Sequence, residues 1–544
     1  MLMGRFKNTV AKANLKLPLK LAATLLAGST FLSSILGLIR DRQLNGLYYS
    51  TYPQGIDAYT VAFTIPDFMF FILVSGALSV TFIPVFNQRL ADGNKKSAWE
   101  LSASMLNFMA ILTLITSVLI IIFAEPLVHY VVGPGLDESS RALAVSMMRV
   151  IAINPFLFAI ASVVSSMQQA VGRFTFFALA PAVYNIGIII GTVFFTDGIT
   201  IFGYQIFAGG IMGVALGVVL GSVMQLMISC IGLFGMGFDY DFKIYWKNHG
   251  FRKVLSLLPA RSLDQGIDYV NSIVETNLAS RMAAGTIRAY QQASALSYMP
   301  INLIGVAIST AAFPKMAERL GQGRPDLFKK ELQSVLRVII WLALPVMVIT
   351  YFGRGYIVSF IKNGGDSLMA GILGILSIAI LFRSIYHISA RSFYAQQNTK
   401  TPLYISFFAI GLNIVLAICF TMVLDLGVYG LAWATSIVSF VEVCILFIMM
   451  SRTIKGLFDV TFVHAIARMA SATGFMTIVT YIMVALLPLS ANDQSIMASL
   501  PKFILITFVS GLAYVLLSWI LKLEEANHVI ARIKKILFGR VKGL

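Results

Sequence analysis

The sequence predicts an all-α polytopic membrane protein of about fourteen transmembrane helices, and three observations predict it. Hydrophobic residues make up 58% of the 544 and charged residues only 12%, about half the charged fraction of a soluble domain. The apolar residues fall into runs of about 20 or more, the length a helix needs to cross hydrocarbon. The short alternating strands of a membrane β-barrel are absent.

Hydropathy breaks place the spans at about 22–44, 57–87, 98–124, 140–170, 174–196 and 203–235, then 254–282, 286–318, 327–352, 367–396, 402–424 and 427–451, and finally 463–488 and 499–521. This divides the chain into an N-terminal six-helix lobe with a basic leading segment (1–237) and a polar cytoplasmic connector (238–253). A second six-helix lobe (254–455) and two extra helices with a basic amphipathic tail (456–544) follow. The lobes echo one another. Ser79, Pro84 and Arg89 return 230 positions later as Ser309, Pro314 and Arg319, and Gln168, Gln169 and Asn185 return 228 positions later as Gln396, Gln397 and Asn413. Six spans is an even number, so the two lobes start on the same side of the bilayer and form a parallel repeat around a central cavity.

A net charge of +17 points to nucleic acid or to membrane topology, and position decides between them. With a cytoplasmic N-terminus, roughly 27 of the 41 lysines and arginines fall on the cytoplasmic side, the positive-inside pattern. Both termini are then cytoplasmic, and nucleic acid is not implied. The basic start, from Arg5 to Lys20, reads as an amphipathic approach to the first span and not as a cleaved signal, because the apolar run continues into Arg40. Cys230, Cys419 and Cys444 lie in apolar segments without metal-ligand spacing and read as small core residues.

Charges inside spans are expensive and mark function. Arg40, Asp41, Asp57 and Asp67 sit at or inside the ends of the first two spans. In the seventh span Arg261, Asp264, Asp268, Asn271 and Glu275 follow spacings of 3, 4, 3 and 4, one face of an α-helix. That face looks either into a wet cavity or into an internal salt-bridge ladder. Beyond it, Arg281 and Arg288 bracket a short turn and Gln291, Gln292 and Ser294 continue the polar surface. The two arginines suit a phosphate-bearing substrate or, equally, the outer headgroups. In the tenth span Arg383, His387 and Arg391 form a basic face. His387 is there either to titrate or to pack. Pro66 with Gly76 and Pro300 with Gly305 mark bends in the second and eighth spans, as hinges or as ordinary membrane-helix packing.

No Walker-type Gly-rich loop, no H-E-x-x-H, no cysteine pair at zinc spacing and no soluble domain large enough to hydrolyse ATP stands out, so the sequence names no catalytic residue, no metal site and no enzyme activity. Work must come from an ion gradient, the membrane potential or the substrate's own flux. The residues able to take a coupling Na+ or H+ are Asp264, Asp268, Glu275, His387 and Asn413.

The runs S-S-I-L-G-L-I-R-D (Ser33 to Asp41), D-A-Y-x-V-A-F-x-I-P (Asp57 to Pro66), G-A-L-S-x-x-F-I-P (Gly76 to Pro84), G-V-A-I-S-T-x-x-F-P (Gly305 to Pro314) and F-Y-A-Q-Q-N-T-K-T-P (Phe393 to Pro402) resemble the MurJ/MviN family. These are lipid II flippases of the multidrug/oligosaccharidyl-lipid/polysaccharide exporter superfamily. The resemblance implies a V-shaped pair of six-helix lobes and a cavity lined by the first, second, seventh and eighth helices. It also implies a groove for the lipid tail at the last two helices, and cavity arginines that hold the substrate's pyrophosphate. Arg40, Asp41 and Asp57 match motif positions. Ser34 and Phe70 stand where the family has arginines, Ser75 where it has an acid, and Ser294-Ala295 where it has an Asp-Arg pair. Either Arg261, Arg281 and Arg288 supply the missing positive charge, or the substrate differs.

The leading functional reading is a flippase moving a polyprenyl-diphosphate-linked glycan, lipid II above all, from the inner to the outer leaflet of a bacterial cytoplasmic membrane by alternating access. Its cavity residues are Arg40, Asp41, Asp57, Arg261, Asp264, Asp268, Asn271, Glu275, Arg288, Gln291 and Gln292. Its partners are the lipid-linked substrate and membrane lipids, with a monomeric chain that meets cell-wall synthesis proteins. Two alternatives remain: a cation-coupled exporter of small amphipathic molecules, and a non-transporting envelope scaffold that has kept the fold.

Overall fold

A computed structural model describes residues 19–75, 81–201, 204–490, 493 and 495–527, with the helical backbone alone over 259–268. Twelve helices among the described residues are long and apolar enough to cross a membrane. Helices fall on each of the fourteen expected spans, but those on the first and seventh are not among the twelve, so a count of fourteen crossings is not shown. The chain divides into two compact units, residues 1–288 and 289–544.

The first unit opens with α1 (Leu19–Leu44), which runs into a π-helical turn at Asn45–Tyr49. On the expected second span the described residues form α2 (Pro53–Phe70) with a π turn at Phe71–Ser75, and α3 (Ile83–Ala91), with 76–80 outside the description. Next come α4 (Lys95–Pro126), α5 (Glu138–Ile151), α6 (Asn154–Ala170) and α7 (Thr175–Ile190), the last ending in a π turn at Gly191–Phe195. A short antiparallel hairpin, β1 (Ile199–Ile201) and β2 (Tyr204–Phe207), precedes α8 (Met212–Ile231). The sixth span was expected from about 203. It starts later because the stretch from Gly198 to Gly210 turns back on itself, with Gly198, Gly209 and Gly210 all at positive φ, a conformation glycine adopts without Cβ strain.

The seventh span is α9 (His249–Ala279). The sequence assigns it to the second lobe, but it packs within the first unit. The reason lies in its first turns, where Phe251, Val254 and Leu258 are buried in the same core as Phe82, Phe86, Leu101, Met105, Val163 and Met167. At its far end Asn277 Nδ2 donates to the Val131 carbonyl at 2.7 Å, and Ser280 Oγ accepts from Gly135 N at 3.2 Å. Helices α7 and α8 approach backbone to backbone. A Cβ on Gly187 would stand 2.2 Å from Gly221 Cα, and one on Gly217 2.6 Å from Gly191 Cα, the small-residue contact by which membrane helices gain packing without a hydrophobic driving force.

The second unit takes up the eighth span, whose helix α10 starts at Thr286 and ends at Ile301 before a π turn at Asn302–Val306; α11 (Ala307–Gly321) continues it. Then follow α12 (Pro325–Ile361), α13 (Ser367–Ala395), α14 (Lys400–Ile418) with a π turn at Cys419–Val423, α15 (Val428–Thr453), α16 (Val460–Leu486) and α17 (Ile496–Ile520). The second of the two extra helices is tied to α12: Trp341 Nε1 donates to Ser518 Oγ and Tyr514 OH to the Trp341 carbonyl, both at 3.0 Å. Leu332, Leu336, Ile388, Phe393, Leu446, Met469 and Met476 share one core.

The π turns carry the repeat into the backbone. Phe71–Ser75 and Asn302–Val306 begin 231 positions apart, and Gly191–Phe195 and Cys419–Val423 begin 228 apart, close to the two offsets in the sequence. Such turns are rare and gather at functional sites. Outward faces are apolar, as with Ile111, Ile115, Val118 and Ile122 on α4 and Phe508, Leu512 and Leu516 on α17, all exposed. Lipid is the solvent that suits them. The three cysteines are free and only partly buried, so they are not the core residues the sequence suggested.

Candidate functional site

The charged residues of the opening stretch converge on one place in the first unit. Arg40 and Asp41 stand on the last turns of α1, where neighbouring side chains rarely face each other. Here the Arg40 guanidinium turns back onto Asp41, with Nη2 3.1 Å from Oδ1 and 3.2 Å from Oδ2 and Nε 3.3 Å from Oδ1. Its remaining arm, Nη1, donates to Asn185 Oδ1 at 2.9 Å. Asn185, on α7, is itself fixed. Its Nδ2 donates to the Ser33 carbonyl and Oγ, each at 3.2 Å, and to the Pro181 carbonyl at 3.1 Å. The asparagine marked by the repeat therefore orients the arginine of the first span.

Arg288, in the first turn of α10, reaches the same carboxylate. Its Nη2 lies 3.1 Å from Asp41 Oδ1, and its Nε donates to Asn45 Oδ1 at 3.0 Å. Its backbone meets a second acid. Asp57, in the first turns of α2, accepts from Arg288 N at 2.8 Å through Oδ1 and from Gly285 N at 2.6 Å through Oδ2. A helix start leaves such amides without intrahelical partners and carries a partial positive charge, so a carboxylate from another helix is a fitting cap. Gly285 makes the turn at φ +88° beside Pro53 and Tyr49, a backbone that L side chains rarely adopt.

Burial ranks these groups. Asp57 and Arg288 are 3% and 4% exposed. The side chains of Arg40 and Asp41 remain 25% and 15% exposed. The sequence left Arg288 between substrate and headgroups; it lies buried against Asp41 and Asn45. Two guanidinia share one carboxylate and the second carboxylate serves a helix terminus, so the cluster is close to neutral. Arg40 is the cation with surface to offer.

The seventh-span stripe is described only in part. Asn271 Nδ2 donates to Glu275 Oε1 at 2.8 Å along one half-buried face, while the side chains of Arg261, Asp264 and Asp268 lie outside the described residues. Gly76 does too. Arg281 and Gln291 are exposed and Gln292 is buried.

In the second unit the basic face of α13 packs against neighbouring elements. Arg391 Nη1 donates to the Val306 carbonyl at 3.2 Å and to Ser309 Oγ, bracing the π turn that follows Pro300. Gly305 in that turn lies where a Cβ would come 2.7 Å from Ser384 Cα and 3.2 Å from His387 Cδ2. His387 is thus a packing neighbour of the turn. Arg383 Nε donates to Ser439 Oγ at 3.2 Å. Asn413 is buried.

Sequence reasoning passed over Glu442, which is 3% exposed on α15. It accepts from Ser406 Oγ at 3.3 Å, and that hydroxyl lies 3.0 Å from Tyr386 OH. The signal was available, since an acid stands inside an otherwise apolar run. Among the described residues no group of three or more metal-ligating side chains is assembled.

Outside the membrane segments, Asp137 caps α5. Its Oδ2 accepts from Ser140 N at 3.1 Å and its Oδ1 from Ser140 Oγ at 2.6 Å, with the Ser139 hydroxyl also donating. Those donors, the hydroxyls of Ser139 and Ser140 first, hold its carboxyl down at about 2.

Residues 54–500 match the family model described as lipid II flippase MurJ. A probable lipid II flippase MurJ of Buchnera aphidicola is 26% identical over 392 residues, covering 71% of this chain and 75% of its own length. That of Thermotoga maritima is 24% identical over 514 residues, covering 92% and 97%. Among solved structures, the lipid II flippase MurJ in an inward closed conformation superposes with a TM-score of 0.70 at 24% identity, over 90% of this chain and 98% of that one. An inward-facing multidrug resistance MATE family transporter of the MOP superfamily gives 0.66 at 16% identity, over 79% and 96%. These two likenesses concern the fold.

Proposed function

Because the chain belongs to the MurJ lipid II flippase family, we propose that it carries lipid II across the bacterial cytoplasmic membrane, from the inner to the outer leaflet, by alternating access. The physical problem is the headgroup: a diphosphate and a glycan lose their hydration in hydrocarbon, where an unpaired charge costs several kcal/mol. The observation that carries the reading is the Arg40, Asp41 and Arg288 cluster held at the ends of membrane helices. Arg40 binds the diphosphate. A guanidinium pairs bidentately with phosphate and keeps its charge when partly buried. Asp41 presents both arginines, and Asp57 fixes the helix start that carries Arg288.

Arg261 adds the positive charge that Ser34, Phe70 and Ala295 do not supply, with Asp264, Asp268, Asn271, Glu275, Gln291 and Gln292 as the polar lining. Coupling to Na+ or H+ falls to Asp264, Asp268, Glu275, His387 and Asn413. Bends at Pro66 with Gly76 and at Pro300 with Gly305 take up the change of state. An apolar cleft of about 500 Å³ between α12, α13 and α16, lined by Phe352, Tyr356, Ala370, Tyr481, Val484 and Leu489, suits the isoprenoid tail. The chain works as a monomer with both termini in the cytoplasm, beside the cell-wall synthesis machinery.

Depletion of a host's own lipid II flippase tests this. Expression of this chain restores growth, and Arg40→Ala does not. Lysis despite a well-inserted wild-type chain overturns the reading.

A further inference from the structure

The second helix carries a carboxylate that the site above does not use. Asp67 lies one residue after Pro66 and one turn before the π turn at Phe71–Ser75. It is half-buried and makes no hydrogen bond or ion pair with any described residue. A carboxylate at membrane depth with no partner among the described residues is costly, and a ligand of opposite charge would offset that cost.

The side chains around Asp67 say what that is. Phe70 and Phe71, three and four residues on, share its face of the helix. Phe70 meets Phe158 of α6 at 5.4 Å with rings inclined at 64°, and Phe158 meets Tyr184 of α7 at 5.3 Å and 76°. Tyr184 is close enough to Asp67 to feel its charge. Phe71 stacks on Tyr269 of α9 at 4.3 Å. All five rings are half-buried and not sealed in the core. The edge-to-face contacts of Phe70, Phe158 and Tyr184 leave ring faces available, while the Phe71–Tyr269 stack uses one face of each of its rings, and a ring face is the negative pole of its quadrupole. A carboxylate beside several π faces attracts a cation, and an organic one best, because the rings bind its charge and its methylenes together. It repels phosphate. The family pattern puts an arginine at Phe70, so this chain lacks the positive charge that would repel a cation there.

We propose that Asp67 with Phe70, Phe71, Phe158, Tyr184 and Tyr269 forms a subsite for an organic ammonium group, and that its ligand is the free amine on the peptide stem of the lipid-linked headgroup. The subsite rests on the flippase reading for its ligand, and its chemistry stands apart from it. Arg40 takes the anionic end of the headgroup and Asp67 the cationic end, so the chain selects substrates by the state of that amine.

Binding to the purified full chain in lipid nanodiscs tests the proposal with two probes, lipid II bearing a free stem amine and lipid II acetylated at that amine. The wild type is expected to prefer the free amine by about tenfold, Asp67→Asn to bind the two forms alike, and Asp67→Glu to keep part of the preference. Thermal unfolding of each variant shows whether it is folded. A folded wild type that binds both forms equally overturns the proposal and leaves the flippase reading intact. If neither lipid binds, the flippase reading fails, and a soluble probe, phenethylammonium, decides for the subsite. Binding that is lost in Asp67→Asn supports a free organic cation as ligand, and no binding, or binding unaffected by Asp67→Asn, ends the proposal.

Discussion

Asp57 caps the helix that carries Arg288. One carboxylate oxygen takes the Arg288 amide at 2.8 Å and the other takes the Gly285 amide at 2.6 Å, across 231 residues of sequence. A side chain from α2 thus fixes where α10 begins and, through it, where the Arg288 guanidinium meets Asp41. The amides are buried, so no water replaces the cap.

Replacing Asp57 with Asn keeps one acceptor and turns the other into a donor facing an amide. Leaving buried donors unsatisfied costs about 1–3 kcal/mol. Asp57→Asn is therefore expected to unfold at lower temperature in detergent and to lose most transport, while Asp57→Glu, which keeps both oxygens, recovers part of each. Thermal melts read alongside complementation check this.

Arg40 and Asn185 should couple. Asn185→Ala frees the Nη1 arm of Arg40 and removes the link to Ser33, so transport falls, though less than in Arg40→Ala. A double-mutant cycle on headgroup affinity is expected to give an interaction of about 1 kcal/mol. Arg40→Lys keeps the charge without the forked geometry and should fall nearer to Arg40→Ala than to wild type. Strict additivity of Arg40 and Asn185 variants would show that the asparagine does not orient the arginine.

The contact of α7 with α8 has no room for a side chain. Gly221→Leu is expected to cost at least the roughly 1–3 kcal/mol typical of overpacking, because the obstruction is backbone and cannot rotate away. Gly411 is the control, since a Cβ there would meet no atom within 4 Å, and Gly411→Ala should melt like wild type.

Asp137 gives a pH signature at an exposed loop. Its carboxyl is held at about 2 in the folded chain, below the ordinary value of about 3.9. The cap's contribution is thus complete above about pH 4 and is lost as the pH falls toward 2. Amide exchange protection in the first turn of α5 is expected to drop across that window, and Asp137→Ala to remove the dependence by lowering protection at every pH.

Much of this was legible in the sequence, for physical reasons that also set the limits. Apolar run length located the spans, because a helix must cross a set thickness. Intramembrane charge found Arg40, Asp41 and Asp57, because desolvation makes such residues rare. Asn185 came from the repeat. Partners were harder to read. Arg288 read equally as a substrate or a headgroup contact, and only the fold brings Asp41 and Asn45 onto it. Helix α9 follows the polar connector and so reads as the first helix of the second lobe, yet Phe251, Val254 and Leu258 bury it in the first unit. The π turns leave no composition mark, and the hairpin before α8 hid in a stretch apolar enough to pass for a span. Glu442 was missed although the charge rule reaches it.

Translocation of fluorescent lipid II in proteoliposomes, wild type against Arg40→Ala at matched insertion, tests most directly that this intramembrane charge cluster handles the diphosphate headgroup. The expected result is protein-dependent movement to the opposite leaflet by the wild type and its loss in Arg40→Ala. Equal translocation by the two, or none by a folded wild type, would contradict it.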